Sequence, residues 1–455
     1  MCKDYLSDES LFTGTWEHSA RLAIHRQGLA NEAFGPSTDS AALPRSAGDW
    51  AALRQMLLQQ ISSKELHSLD LPLRLAGGDR RGKSAYSAVL AEMKEKSAIH
   101  EQISPYLDRT LLLWIRTLFH FPSNAVGRCY AVEGSATQAA LQEAYRTYLA
   151  HQVDNNMKEA AGLVIYVCKA NASELATQIK TIGIPKVVLH PIDMDGAYRM
   201  RTDLLNQTIA KDRSTGLQPF ALVGHIGGAA GIAIDPMASL ATLAKRERIW
   251  LHIEGGEGAL ATLAPDVAPI MVGIEQADSL TFNLPDLNGL PCGPEYLLLR
   301  SSTSESHMKE QLVAPVRSVQ SGPQGSALLA WLGFQLVGAD QIGHNIARRC
   351  TMARYLARLV DASSELTLFT PVVLNTVSLY YRRPDSERIL AAALRGLDGE
   401  LVDSRIKEMD GKSVLQIIVA RKDLREQEIA QVLGQLLAAG LTSRRKLAIN
   451  IPAAS

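Results

Sequence analysis

The sequence predicts an α/β fold with a mostly parallel central sheet flanked by helices, followed by a small C-terminal α+β domain. Three observations carry this expectation. Between residues 127 and 300, apolar runs of strand length alternate with amphipathic segments of helical spacing, the pattern of consecutive βαβ units. The runs are nearly continuous in apolar residues rather than alternating, as strands covered on both faces require. After residue 300 the chain turns to helical spacing, then to two short apolar runs and a last helix.

Residues 1–50 are mixed, with a loop-like patch GPSTDSAALPRSAGD at 35–49. WAALRQMLLQQISS (50–63) has helical spacing, and LAGGDRRGKS (75–84) is a turn-rich break. Two helices are expected in 84–102 and 107–121. Strands are expected at GLVIYV (162–167), KVVLH (186–190), FALVGHI (220–226), IWLHIE (249–254), SLTF (279–282) and EYLLLR (295–300). Helices such as 134–149, 173–183 and 236–247 lie between them. A long helical pattern over 325–360 breaks near Gly338, and the last ninety residues hold VVLNTVSLYYR, SVLQIIVAR and a helix at 424–440. The domains expected are an N-terminal extension (1–75), a large domain (76–350) and a small C-terminal domain (351–455). In such sheets ligands bind outside the carboxyl ends of the strands.

Lys+Arg and Asp+Glu balance at 47 each, so no global field favours nucleic acid or an anionic membrane. Hydrophobic residues make up 46% and charged residues 21%, an ordinary soluble composition. No uncharged apolar run approaches the roughly eighteen residues of a membrane span. The opening MCKDYLSDESLF places acids early and has no apolar core, unlike a signal peptide. Five scattered cysteines without a CxxC pair fit reduced, mostly buried thiols and a cytoplasmic protein, and no metal site is expected.

Several segments, in order, resemble the group II pyridoxal-phosphate (PLP) decarboxylases of the aspartate-aminotransferase fold, fold type I of the PLP transferases. They are EGSATQAALQEAYR (133–146), GHIGGAAGIAIDP (224–236), WLHIEGG (250–256), GIEQADSLTFNLPD (273–286) and ALLAW (327–331). WLHIEGG together with DSLTFNLPDLNGLP (278–291) also looks like the branch named pyridoxal-dependent decarboxylase domain-containing protein, which lacks the Schiff-base lysine. The resemblance covers roughly residues 100–440. It implies a homodimer with active sites at the subunit interface.

The family's chemistry needs a lysine amine for the Schiff base, a carboxylate on the pyridinium nitrogen, N–H donors at a helix start for the phosphate, a stacking ring, and an arginine for the substrate carboxylate. By resemblance, Gly134, Ser135 and Ala136 fall at the phosphate cradle and Glu254 at the ring-nitrogen aspartate, with His252 supporting the strand end. Gly255 and Gly256 replace alanines, which is expected to give room on the ring face. The other roles have changed residue type: Asn171 stands at the stacking histidine, Gln416 at the small-domain arginine, and Asp286 at the lysine. Lys169 is the nearest stand-in by motif. His225 takes the place of a small hydroxyl residue, either as an acid–base group or as a hydrogen-bonded rim residue. Glu257 adds an acid to the same mouth.

Glu254 and Asp286 facing one another are expected to repel, so that one keeps its proton unless a cation lies between them. A B6 cofactor would then sit non-covalently, pyridoxamine phosphate better than PLP, or be absent. Three readings stay open. The chain is a non-decarboxylating ligand-binding, regulatory or partner subunit, possessing a small amine or amino-acid-like ligand or an active heteromeric partner. Alternatively it is an enzyme of altered chemistry using His225, Glu254 and Asp286, or it is a genuine PLP-dependent amino-acid decarboxylase.

Overall fold

The computed structural model describes residues 42–48, 107, 110–130, 134–154, 160–227, 233–283, 295–300 and 326–449. The helices expected at 50–63 and 84–102, the turn at 75–84, and Asp286 lie outside these residues.

The large sheet holds β1 (Val126–Tyr130), β2 (Leu163–Cys168), β3 (Val187–Ile192), β4 (Gln218–Gly227), β5 (Ala233–Ile234), β6 (Trp250–Glu254), β7 (Ser279–Asn283) and β8 (Glu295–Leu299). Their order is β1-β8-β7-β6-β4-β2-β3, with β5 paired to the end of β4. Strands β3, β2, β4, β6 and β7 run parallel, whereas β8 is antiparallel to both β7 and β1. β2 is buried along its whole length and β4 along all but its first residue, which is why their sequences do not alternate. β3 leaves β2 on one side and β4 returns on the other. That reversal between β2 and β4 opens the crevice in which sheets of this kind bind ligands.

Helices cover the sheet: α1 (residues 110–118), α2 (Ser135–Asp154), α3 (Ala172–Ile179), α4 (Thr202–Ser214) and α5 (Met237–Glu247). The sequence reading singled out neither α4 nor β1. α4 is mostly polar and buries Leu205 and Ile209. α6 (Ser326–Val337) and α7 (Ala339–Asp361) meet at Gly338, the break expected from sequence. Gly338 has φ +80°, and a Cβ there would meet the backbone of Arg45 and Ser46 at 2.6–2.7 Å, so the junction demands glycine on two counts. Residues 42–48 are tied to this junction through Ala339 N–H to the Pro44 carbonyl and Gly48 N–H to the Gln335 carbonyl, both 2.7 Å. Trp331 stacks on Trp114 with ring centroids 6.3 Å apart, anchoring α6 to α1.

A second sheet, ordered β11-β12-β10-β9, is antiparallel throughout and comprises β9 (Leu366–Leu368), β10 (Thr376–Tyr381), β11 (Asp403–Met409) and β12 (Lys412–Ile418). α8 (Ser386–Gly396), α9 (Glu426–Ile449) and the second half of α7 close its core around Leu356, Leu379, Ile417 and Val432. The turn between β11 and β12 reaches the large sheet, where the Tyr198 hydroxyl hydrogen-bonds Asp410 and Tyr198 and Ala233 pack on Met409 and Val414. Among the described residues no helix is long and apolar enough to cross a membrane. Cys168 and Cys350 are buried free thiols.

α7 touches the turn that follows β6 through Gly343. A Cβ at Gly343 would lie 2.1 Å from the Leu263 carbonyl oxygen. Helix propensity alone would make Gly343→Ala stabilising by about 1 kcal/mol. The contact predicts the opposite sign, a loss of about 1–3 kcal/mol, measurable as a lowered urea midpoint at unchanged slope.

Candidate active site

The candidate residues converge at the carboxyl ends of β2, β4 and β6. His225 and Glu254 are directly paired in the β4–β6 register, and parallel strands place both side chains at one edge. His225 Nε2 donates to Glu254 Oε2 at 2.7 Å. His225 is buried, while 18% of the Glu254 side chain remains open. The end of β4 is pinned from behind by the buried Asp235, whose carboxylate accepts the backbone N–H groups of His225 (3.0 Å) and Met200 (2.7 Å). Asp235 Oδ2 is also 3.9 Å from His225 Nδ1, beyond hydrogen-bond reach.

A second chain of bonds reaches Glu254 from the other side. Trp250 Nε1 donates to Ser279 Oγ (2.8 Å), Ser279 Oγ lies 2.9 Å from His252 Nδ1, His252 Nε2 lies 3.3 Å from Thr137 Oγ1, and Thr137 Oγ1 donates to Glu254 Oε1 at 2.8 Å. Indole can only donate and carboxylate can only accept. The hydroxyls therefore point one way: Ser279 donates to His252 Nδ1, His252 carries its proton on Nε2, and Thr137 passes its own to Glu254. Both Glu254 oxygens are thus engaged by the protein, Oε1 by Thr137 and Oε2 by His225.

The charges follow from these bonds. Burial works to raise the Glu254 pKa, but the His225 imidazolium and the Thr137 hydroxyl outweigh it and hold the carboxyl at about 2. Burial works to lower His225, but Glu254 first and Asp235 next outweigh it and hold the imidazole above its ordinary value. Burial pushes His252 down to about 4, so it stays neutral. Within the described residues Glu254 thus has a donor from the chain on each oxygen, while the expected opposition of Glu254 and Asp286 involves a residue outside them.

Two further expectations change. Ala136 N–H does not face an open cradle: it donates to the buried carboxylate of Glu295, Oε2, at 3.0 Å. Gly255 gives no room, since a Cβ there would meet Ala259 Cβ and the Thr281 carbonyl oxygen at 2.7 Å. Of the two, Gly256 has the room: none of the described residues lies within 4 Å of a Cβ built there, and φ is +47°. Gly134, with φ +80°, and Ser135 open α2 as the sequence suggests.

Asn171 is buried in a 3-10 turn after β2, at the start of α3 and at the same end of the sheet. Lys169, on that turn, is exposed and paired with Asp193 at 2.9 Å. Glu257 is exposed on the turn after β6. Gln416 is fully buried in the small sheet, accepts from Arg405 Nε at 2.9 Å and reaches Ser378 Oγ at 3.4 Å. Asp286 falls three residues after the end of β7, outside the described residues. The structure thus gathers His225, Glu254, His252 and the start of α2 into one network. It adds Thr137, Glu295 and Arg405, which sequence reasoning missed. Glu295 had one signal, an acid opening the apolar run EYLLL. Arg405 had only its register opposite Gln416, invisible before pairing.

A family model described as the pyridoxal-dependent decarboxylase conserved domain matches residues 84–382. The chain is 23% identical over 290 residues to an aromatic-L-amino-acid decarboxylase of Bacillus atrophaeus, covering 60% of this chain and 59% of that protein. It is 25% identical over 287 residues to a phenylacetaldehyde synthase of Arabidopsis thaliana, covering 58% of each. The chain therefore spans under two thirds of the length of these curated relatives. Among solved structures, the glutamate decarboxylase domain of a Vibrio parahaemolyticus diaminobutyrate-pyruvate transaminase and L-2,4-diaminobutyrate decarboxylase superposes with a TM-score of 0.66 at 18% identity, over 79% of this chain and 78% of that one. The tryptophan decarboxylase of Catharanthus roseus, solved with L-tryptophan, gives 0.62 at 17% identity over 88% and 82%. At these identities the structural likeness speaks for the fold.

The ion pair makes a signed prediction for stability. Below an ordinary histidine pKa of 6.5 the unfolded imidazole is protonated too, and the raised His225 costs nothing. As pH rises from 6.5 through the raised native value, only the folded state keeps the proton, and that part of the stability is lost. The urea midpoint of the wild type should fall with rising pH on the alkaline side of 6.5, and His225→Gln should flatten that fall. His252 acts in the other window: its depressed pKa removes stability as pH drops from 6.5 towards about 4, in both proteins.

Proposed function

The chain belongs to the pyridoxal-dependent decarboxylase family, and from that premise we propose that it is a member that does not decarboxylate. It serves instead as a cytoplasmic ligand-binding or partner subunit, working as a homodimer or beside an active relative. The observation that carries this reading is the His225–Glu254 contact of 2.7 Å. The carboxylate at the ring-nitrogen position is already neutralised by a residue of the chain, and its other oxygen is taken by Thr137. A pyridinium nitrogen would have to displace an imidazolium that is buried and held. The residues present therefore do not fit a B6 cofactor bound in the family's manner, and no catalytic step is assigned through one.

The sequence supports the same conclusion. No lysine occurs between Lys245 and Lys309, which leaves the loop after β7 with Asp286 where the resemblance places the Schiff-base lysine. Lys169 is engaged with Asp193 on the surface. Arg405, on the adjacent strand, donates its Nε to Gln416, so the small sheet carries a guanidinium beside the position where the resemblance places an arginine. Glu174, in the first turn of α3, adds a smaller raising influence on both His225 and Lys407. The ligand proposed is a small amine or amino-acid-like molecule, since the site's open carboxylate at Glu254 would meet a cationic group.

A second reading, acid–base chemistry by the His225–Glu254 pair, is favoured by the part of Glu254 that stays open. The two readings part on turnover of the ligand once one is found.

Purified full-length chain mixed with PLP should give no aldimine absorption, and borohydride should leave every lysine unmodified. Fixation of the cofactor to one lysine would overturn the proposal. Asp286→Lys alone should leave decarboxylation at background, because Glu254, Asn171 and Gln416 remain changed. Turnover restored by that one substitution would mean that the rest of the site is intact.

A further inference from the structure

We infer that this chain has filled both charged subsites of its own cofactor pocket, so that the pocket is closed to B6 phosphates by Glu295 and His225. The inference goes beyond the missing Schiff base, because it concerns pyridoxamine phosphate as much as PLP.

The start of α2 joins the two subsites. Its aligned peptide dipoles and unpaired N–H groups favour an anion. Here the anion is supplied from within. Glu295 opens β8, is buried, and receives Ala136 N–H at 3.0 Å. It stands directly opposite Asn283 in the β7–β8 register, so it lies beside the point where the chain leaves for Asp286. An exogenous phosphate at this helix start would meet a buried carboxylate rather than a vacant donor. One residue further along α2, Thr137 donates to Glu254 Oε1 while His225 donates to Glu254 Oε2. The imidazolium thus takes the carboxylate that a ring cation would need.

These two substitutions have opposite sign and balance separately. The carboxylate of Glu295 sits on the positive end of α2, and the imidazolium of His225 sits on Glu254. Among the described residues, each subsite's charge thus has a partner of opposite sign from within the chain. Removing the Glu295 charge should therefore restore anion affinity at the first subsite without touching the second.

The test uses the full-length protein and calorimetric titration with pyridoxamine phosphate and, separately, inorganic phosphate. Pyridoxamine phosphate carries an amine and forms no Schiff base, so its binding reads the pocket and not the lysine question. Wild type should show no saturable binding of either probe at concentrations up to about 1 mM. Glu295→Gln keeps an acceptor for Ala136 N–H and removes the charge; it should bring at least a tenfold gain in affinity for pyridoxamine phosphate, with inorganic phosphate competing. If the single variant gains nothing, Glu295→Gln combined with His225→Thr should gain. Circular dichroism and a melting curve confirm that each variant is folded, and Glu295→Asp, which withdraws the charge by one methylene, stands in if Glu295→Gln does not fold. Saturable micromolar binding of pyridoxamine phosphate by wild type overturns the inference. So does the absence of any gain in the folded double variant, which would place the closure elsewhere.

Discussion

The site depends on one contact, the hydrogen-bonded ion pair between His225 and Glu254. Two buried charges are costly to remove from water, and only good geometry with further hydrogen bonds compensates. Glu254 has both: a short bond from His225 and a second donor in Thr137. Losing either charge alone would strand the other, at a cost of roughly 3–5 kcal/mol for a buried pair. The neighbouring groups are arranged to prevent this. Asp235 fixes the backbone of His225, and the line from Trp250 through Ser279, His252 and Thr137 ends on Glu254 Oε1. The pair therefore sets the tautomer of His252, the direction of two hydroxyls and the charge of the crevice.

The same logic extends to the first turn of α2. At an effective dielectric near 20, two like unit charges about 4 Å apart repel by about 4 kcal/mol. That is comparable with the free energy of a millimolar complex, about 4 kcal/mol. A buried Glu295 at the helix start would oppose a phosphate there with an energy of that order. The family's architecture is kept while its electrostatic complement is supplied by side chains.

Much of the fold was legible in the sequence. Continuous apolar runs marked β2, β4 and β6 to within two residues of their ends, because full burial on both faces leaves no alternation to misread. The break at Gly338 was legible because only glycine serves a positive φ against the backbone of Arg45 and Ser46. Strand direction was not: nothing in EYLLL says that β8 runs antiparallel between β1 and β7. The site was legible as a set of positions and illegible as a set of bonds. His225, His252 and Glu254 were all marked, yet the pairing of His225 with Glu254 comes from the β4–β6 register. Glu295 reaches Ala136 across 159 residues of chain, a separation that no local pattern encodes. The two glycines after Glu254 looked alike in sequence, but Gly255 is wedged against Ala259 and Thr281 while Gly256 meets none of the described residues.

The central claim is that Glu254 already has its cation. Nitrogen NMR of histidine-labelled protein, with His225 assigned by its absence in His225→Gln, measures that protonation state directly. At a pH just above the ordinary histidine value of about 6.5, the account predicts that both ring nitrogens of His225 carry protons while His252 shows one protonated and one bare nitrogen. A neutral His225 under those conditions would contradict it, because Glu254 would then have two hydrogen-bond donors but no cation.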